Sequence, residues 1–112
     1  YGDEVGLDGG DDPLNREPMP WDRVDGGDEM LAHTRQMVAM RRRLRALRIG
    51  DYRHLFSAKL MAFVRTTERA MEVVVVLANP TDEPVREMVV LPVPCILGHT
   101  LFRDELGGEE AR

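Results

Sequence analysis

Two residues four apart, Asp12 and Arg16, carry side chains suited to hold a polyhydroxylated ligand. A carboxylate accepts hydrogen bonds from two neighbouring sugar hydroxyls, and a guanidinium donates several in a fixed fork. The same two groups can instead bind only each other and hold their own loop. Their surroundings are turn chemistry: Gly9, Gly10, Pro13, Pro18 and Pro20 each fix a backbone choice, and residues 1–27 read as loop. Tyr1 and Trp21 present ring faces that suit the apolar side of a pyranose, although Trp21 is expected mainly to anchor the loop in a core. Asp8, Asp11 and Asp12 form an acidic cluster without the spacing of an EF-hand loop. His33, His54 and His99 fall in different elements with no metal-ligand spacing. No metal site and no cofactor are therefore expected.

The elements that must position these groups follow from periodicity. Asp28 suits a helix N-cap and Glu29 its positive end. Strong helix formers then run without Gly or Pro to Gly50, so one helix is expected over about 28–48. Met30, Met37, Met40, Leu44 and Leu47 fall at helical spacing, with Leu31 and Val38 widening the stripe. After Gly50 the period becomes two. Strands are expected at 51–57, 60–66, 71–78, 85–91 and 100–104, with an edge or irregular crossover at 93–97 between Pro92 and the following turn. The 71–78 segment, apolar on both faces, reads as the central strand. Short strands with turn signals indicate an antiparallel sandwich.

Composition sets the class. At 112 residues, 43% apolar and 31% charged, the chain suits one small globular unit. No apolar run reaches the length of a membrane span. Residues 1–29 carry ten acids and two bases, whereas 30–69 carry ten bases and two acids. The basic block RRRLRALR suits the C-terminal end of a helix, and Leu44 and Leu47 interleave it at helical spacing, so no nucleic acid or membrane partner is expected. The lone Cys95 lies between Pro94 and Ile96 with no acid–base neighbour and cannot close an internal disulfide. That leans toward a reducing, cytoplasmic compartment and leaves secretion open.

The opening pattern Y-G-D-E-x-G-x-x-G-G-x-D-P-x-N-R-x-P-M-x-W resembles the α-amylase family of glycoside hydrolases, in its neopullulanase, cyclomaltodextrinase and oligo-glucosidase branch. In that family a Tyr-Gly-Asp-Glu box, here Tyr1, Gly2, Asp3 and Glu4, follows the eighth barrel strand. An Asp-Pro-x-x-Arg loop comes next, here Asp12, Pro13 and Arg16, then Met19, Trp21 and Asp22. A long final barrel helix and a small sandwich close the family's order. Leu14 and Glu17 depart from it, standing where polar and basic residues are more common.

The resemblance implies a mostly β chain: an antiparallel β-sandwich like the α-amylase C-terminal domain, preceded by the loop and last α-helix of a truncated (β/α)8 barrel. Residues 1–50 would be the end of the barrel and 51–112 the sandwich. The chain is then expected to be a C-terminal piece of a retaining, α-glucan-acting hydrolase. The family's catalytic carboxylates lie on earlier strands, so no catalytic residue is expected here. Asp12 and Arg16 would bind a distal sugar of an α-glucan or maltooligosaccharide. Asp3 and Glu4 would orient neighbouring loops by hydrogen bonds. Without the barrel wall, the exposed helix face would favour self-association. The alternative is a stand-alone carbohydrate-binding or interaction β-domain. It would show a row of exposed aromatics on a strand face, whereas Tyr52, Phe56, Phe63 and Phe102 are expected mostly to point inward.

Overall fold

A computed structural model describes residues 1–92, 101–107 and 110–111. The chain divides into two compact units, Tyr1–Met40 and Arg41–Arg112. Within the first unit the expected loop is more structured than its composition suggests. It holds two single 3-10 turns, Asp3–Val5 and Leu14–Arg16, and a short helix α1, Trp21–Gly26. Pro20 supplies a preset φ just before α1, and its carbonyl accepts hydrogen bonds from the Arg23 and Val24 N–H groups. Gly27 closes the helix in the left-handed region with φ 83°. Trp21 is 67% exposed, so it does not anchor the loop in a core as expected; the wholly buried Val5 does that.

Helix α2, Glu29–Arg43, starts where the cap residue places it: the Leu31 N–H donates to Asp28 Oδ1 at 3.0 Å. The shielded side of α2 is Leu31, Thr34, Met37 and Met40, of which only Leu31 is buried. Met30 and Val38, counted in the apolar stripe on spacing, are exposed. The expected single helix is also broken. Leu44 is extended (φ −87°, ψ 107°) and a separate helix α3 runs Arg45–Ile49. Nothing in local propensity requires that break. It lets Ala46, 2% exposed, pack inward, and it delivers Arg45 to Glu72 and Glu68, each at 2.8 Å. Arg43, at the last position of α2, pairs with Glu105 at 2.5 Å.

Strands β1 (Asp51–His54), β2 (Met61–Thr66) and β3 (Val73–Ala78) form one antiparallel sheet in the order β1-β2-β3. The register sets Tyr52 opposite Arg65 and Phe63 opposite Val76. Two strands of two residues each, Phe102–Arg103 (β4) and Glu110–Ala111 (β5), pair as a small ribbon. Helical residues outnumber strand residues, which corrects the mostly β expectation; what stands is a three-stranded antiparallel sheet with helices. β2, not β3, is central, and it carries the core residues Ala62 and Val64, each 1% exposed. Leu55 joins them, with Val73, Val75, Val89 and Leu91 packed alongside.

Among the described residues the expected strand at 85–91 has a strand's alternation without a ladder. Positions 85, 87, 89 and 91 are half-buried while 86, 88 and 90 are exposed. Pro84 and Pro92 bracket it and remove two backbone donors. Val89 and Leu91 pack it on the core, and a side chain ties it further: the Glu87 carboxylate accepts from Ser57 Oγ at 2.6 Å, Ala58 N at 2.7 Å and Lys59 N at 3.2 Å. Those donors hold the Glu87 carboxyl below the usual glutamate range, the Ser57 hydroxyl foremost. The crossover expected at 93–97, with Cys95, and His99 lie outside the described residues.

Candidate functional site

The site suggested by the sequence is built on the first unit. Gly2 at φ 86° and Gly6 at φ 62° bracket the 3-10 turn Asp3–Val5. Glycine is required at position 2 twice over, since a Cβ there would also lie 2.2 Å from Leu7 Cδ1. The Val5 and Leu7 N–H groups both donate to the Gly2 carbonyl, at 3.1 and 3.0 Å, so this turn is tied by its own backbone. The Tyr1 hydroxyl donates to the Glu17 carbonyl and thereby joins the start of the segment to the far side of the second turn.

That second turn presents the candidate pair. The Asp12–Pro13 bond is cis, and the Pro13 carbonyl accepts the Arg16 N–H at 3.1 Å. Arg16 Nη2 lies 3.1 Å from Asp12 Oδ1, with the two side chains 75% and 65% exposed. One carboxylate oxygen and most of the guanidinium fork thus remain open to solvent. The pair offers acceptors and donors side by side, which is the arrangement that two adjacent hydroxyls complement. Asp3 is exposed and Glu4 half-buried in the first turn, and among the described residues neither makes an ion pair or side-chain hydrogen bond. The structure therefore joins Asp12 to Arg16 and leaves Asp3 and Glu4 apart from them.

A second charged pair in the same unit was not singled out from the sequence. Arg23 reaches Asp28 Oδ2 through Nε at 3.0 Å and Nη2 at 2.8 Å. The Leu31 N–H, then Arg23, hold the Asp28 carboxyl below the usual aspartate range. A shallow open depression beside them is lined by Arg23, Asp28, Glu29, Met30 and His33. The cap at Asp28 is legible in the sequence; its partner depends on α1, whose Gly- and Pro-rich surroundings read as loop.

The chain is 36% identical over 84 residues to a cyclomaltodextrinase of Geobacillus thermopakistaniensis (strain MAS1), covering 74% of this chain and 14% of that one. It is 36% identical over 113 aligned positions to neopullulanase 2 of Thermoactinomyces vulgaris, covering 98% of this chain and 18% of that one. The chain belongs to the α-amylase family of glycoside hydrolases. An intracellular maltogenic amylase of Bacillus subtilis is a further relative, 40% identical over 42 residues, or 38% of this chain and 7% of that one. The chain thus spans less than a fifth of the length of the curated relatives it matches. No family model and no solved structure matches it. The neopullulanase match takes in Asp12 and Arg16 together with both compact units.

Proposed function

We propose that this chain is the closing part of an α-glucan-acting, retaining glycoside hydrolase, and that it contributes a distal sugar-binding loop and an accessory domain rather than the bond-breaking groups. Residues 1–50 would complete the barrel and residues 51–112 would form the family's C-terminal sandwich. Asp12 and Arg16 would hold a distal glucose unit, and Asp3 and Glu4 would orient the loops beside it. The substrate class comes from the relatives, which are named for maltodextrin rings, pullulan and maltose formation.

The observation that carries this reading is the solvent-open Asp12–Arg16 pair, held at 3.1 Å on a turn that the family motif spans. An ion pair meant only to brace a loop would gain little at such exposure. Retaining hydrolysis uses two carboxyl groups about 5–5.5 Å apart across the scissile bond, and in the family those lie on earlier strands. The test is release of reducing sugar from maltodextrin and from pullulan. The 112-residue chain alone is expected to release none, and the polypeptide that includes the preceding barrel strands is expected to be active. Activity that tracks this chain through purification would overturn the assignment.

A further inference from the structure

Within the second unit, the joint at Leu44 is held by side chains rather than by its own backbone preference. Leu44 is extended at φ −87° and ψ 107°, yet leucine is a strong helix former and no Gly or Pro lies between Glu29 and Ile49. Breaking a helix leaves backbone N–H and C=O groups without intrahelical partners. Two contacts that offset this loss exist only in the broken form. The Leu47 N–H donates to the Leu44 carbonyl at 3.1 Å and so closes the first turn of α3. The Arg41 guanidinium donates to the Leu47 carbonyl across the joint, although residues six apart are not neighbours on a continuous helix.

Arg45 is the anchor. Its Nη1 reaches Glu72 Oε2 and its Nη2 reaches Glu68 Oε1, each at 2.8 Å, and its side chain is 31% exposed. The principal acceptor is fixed in advance. Glu72 Oε2 also accepts from Thr67 Oγ1 at 2.7 Å, and Glu72 Oε1 from Arg69 Nη1 at 3.3 Å. Backbone bonds from Glu72 N to Arg69 O and from Thr67 N to Glu72 O, at 2.9 and 3.3 Å, close the turn that carries it. A guanidinium fork between two carboxylates in such a network holds its geometry better than an isolated surface pair. Arg45 is also the first residue of α3, whose first turn contains no acid. A cation there opposes the helix dipole, and the two glutamates supply the missing negative charge. We infer that Leu44 is a two-state joint, extended or helical, and that the Arg45–Glu72–Glu68 clamp selects the extended state. The rival holder is the packing of Ala46, which buries only a methyl group. With the clamp released, residues 41–49 run on as one helix and α3 leaves its place against β2 and β3.

The experiment follows the Leu44 Cα chemical shift and the far-ultraviolet ellipticity of this chain. Arg45→Met keeps helix propensity and removes the fork. It should move the Leu44 shift from the extended to the helical side and raise the helical ellipticity. Glu68→Ala with Glu72→Ala leaves the helix sequence untouched and should do the same. Arg45→Pro also removes the fork but should keep Leu44 extended, because proline suits the first helical position and its predecessor is already extended. An extended Leu44 in either Arg45→Met or the double variant would overturn the clamp and assign the joint to Ala46. If Arg45→Met fails to fold, Arg45→Pro decides. A folded proline variant with Leu44 extended would support the clamp, since a backbone lock then replaces it. An unfolded one would overturn the inference, because Arg45 would then serve the whole unit rather than the joint.

Discussion

Asp12→Ala, made in the enzyme that carries this chain, separates a sugar-binding role from a scaffolding one. The Asp12–Arg16 ion pair is 3.1 Å long, but its side chains are 65% and 75% exposed. An exposed pair of this kind contributes about 0.2–1 kcal/mol to stability. Unfolding should therefore shift little in Asp12→Ala, Arg16→Ala or the double variant. Substrate use should respond much more strongly. A hydrogen bond between a charged group and a ligand is worth about 1.5–3 kcal/mol. At about 1.4 kcal/mol per factor of ten, kcat/KM on long glucans should fall on the order of tenfold to a hundredfold. The loss should be far smaller on a minimal aryl-glucoside that cannot reach the distal site. The double variant should cost less than the sum of the two, because both residues serve one ligand and touch each other. Steady-state kinetics on maltodextrin and on the aryl-glucoside, with urea unfolding of each variant, checks all of this. Equal losses on short and long substrates would refute the reasoning, as would losses that track stability.

Gly50→Ala should destabilise the second unit by about 1–3 kcal/mol in urea titration, because the added Cβ would meet Ala46 O at 2.5 Å and Thr66 O at 2.7 Å; an unchanged midpoint would contradict that close approach. Glu72 and Glu68 have carboxyls held below the usual range, Glu72 by the Thr67 hydroxyl and then Arg45, Glu68 by its own N–H and then Arg45. A depressed carboxyl stabilises the fold above its unfolded pKa and loses that contribution as pH falls through its folded pKa, so the grip of α3 on residues 67–72 should loosen as pH falls below the ordinary glutamate range. Resonances of Arg45 and Thr67 followed by NMR would report it, and Glu72→Gln should remove much of the dependence. On α2, with only Leu31 buried and Met30 and Val38 exposed, the chain is expected to self-associate at high concentration. Met30→Glu with Val38→Glu should restore a monomer in sedimentation, and a strictly monomeric parent sequence would refute the idea.

The sequence by itself determined whatever depends on near neighbours. The Gly, Pro and Asp spacing of the opening residues carried the family motif and marked Asp12 and Arg16, which the Leu14–Arg16 turn then brought together. Asp28 as a cap, Gly50 as a helix stop and the period-two runs that became β1, β2 and β3 were legible for the same reason. Caps, turns and alternation are set within a few residues, so local pattern suffices to find them.

Tertiary structure decided the rest. Residues 29–49 contain no helix breaker, yet the helix parts at Leu44, because Arg45 is held by Glu68 and Glu72 and Ala46 packs inward. β3 has the more apolar sequence, but among the described residues it is β2 that pairs on both sides and carries the buried Ala62 and Val64. Among the described residues the run at 85–91 kept a strand's alternation and no ladder; flanking prolines removed donors and Glu87 tied it down through its side chain. Tyr52 on β1 and Phe56 just beyond it face solvent rather than core. A period of two says which side chains share a face; only the packing of distant segments says which face is covered.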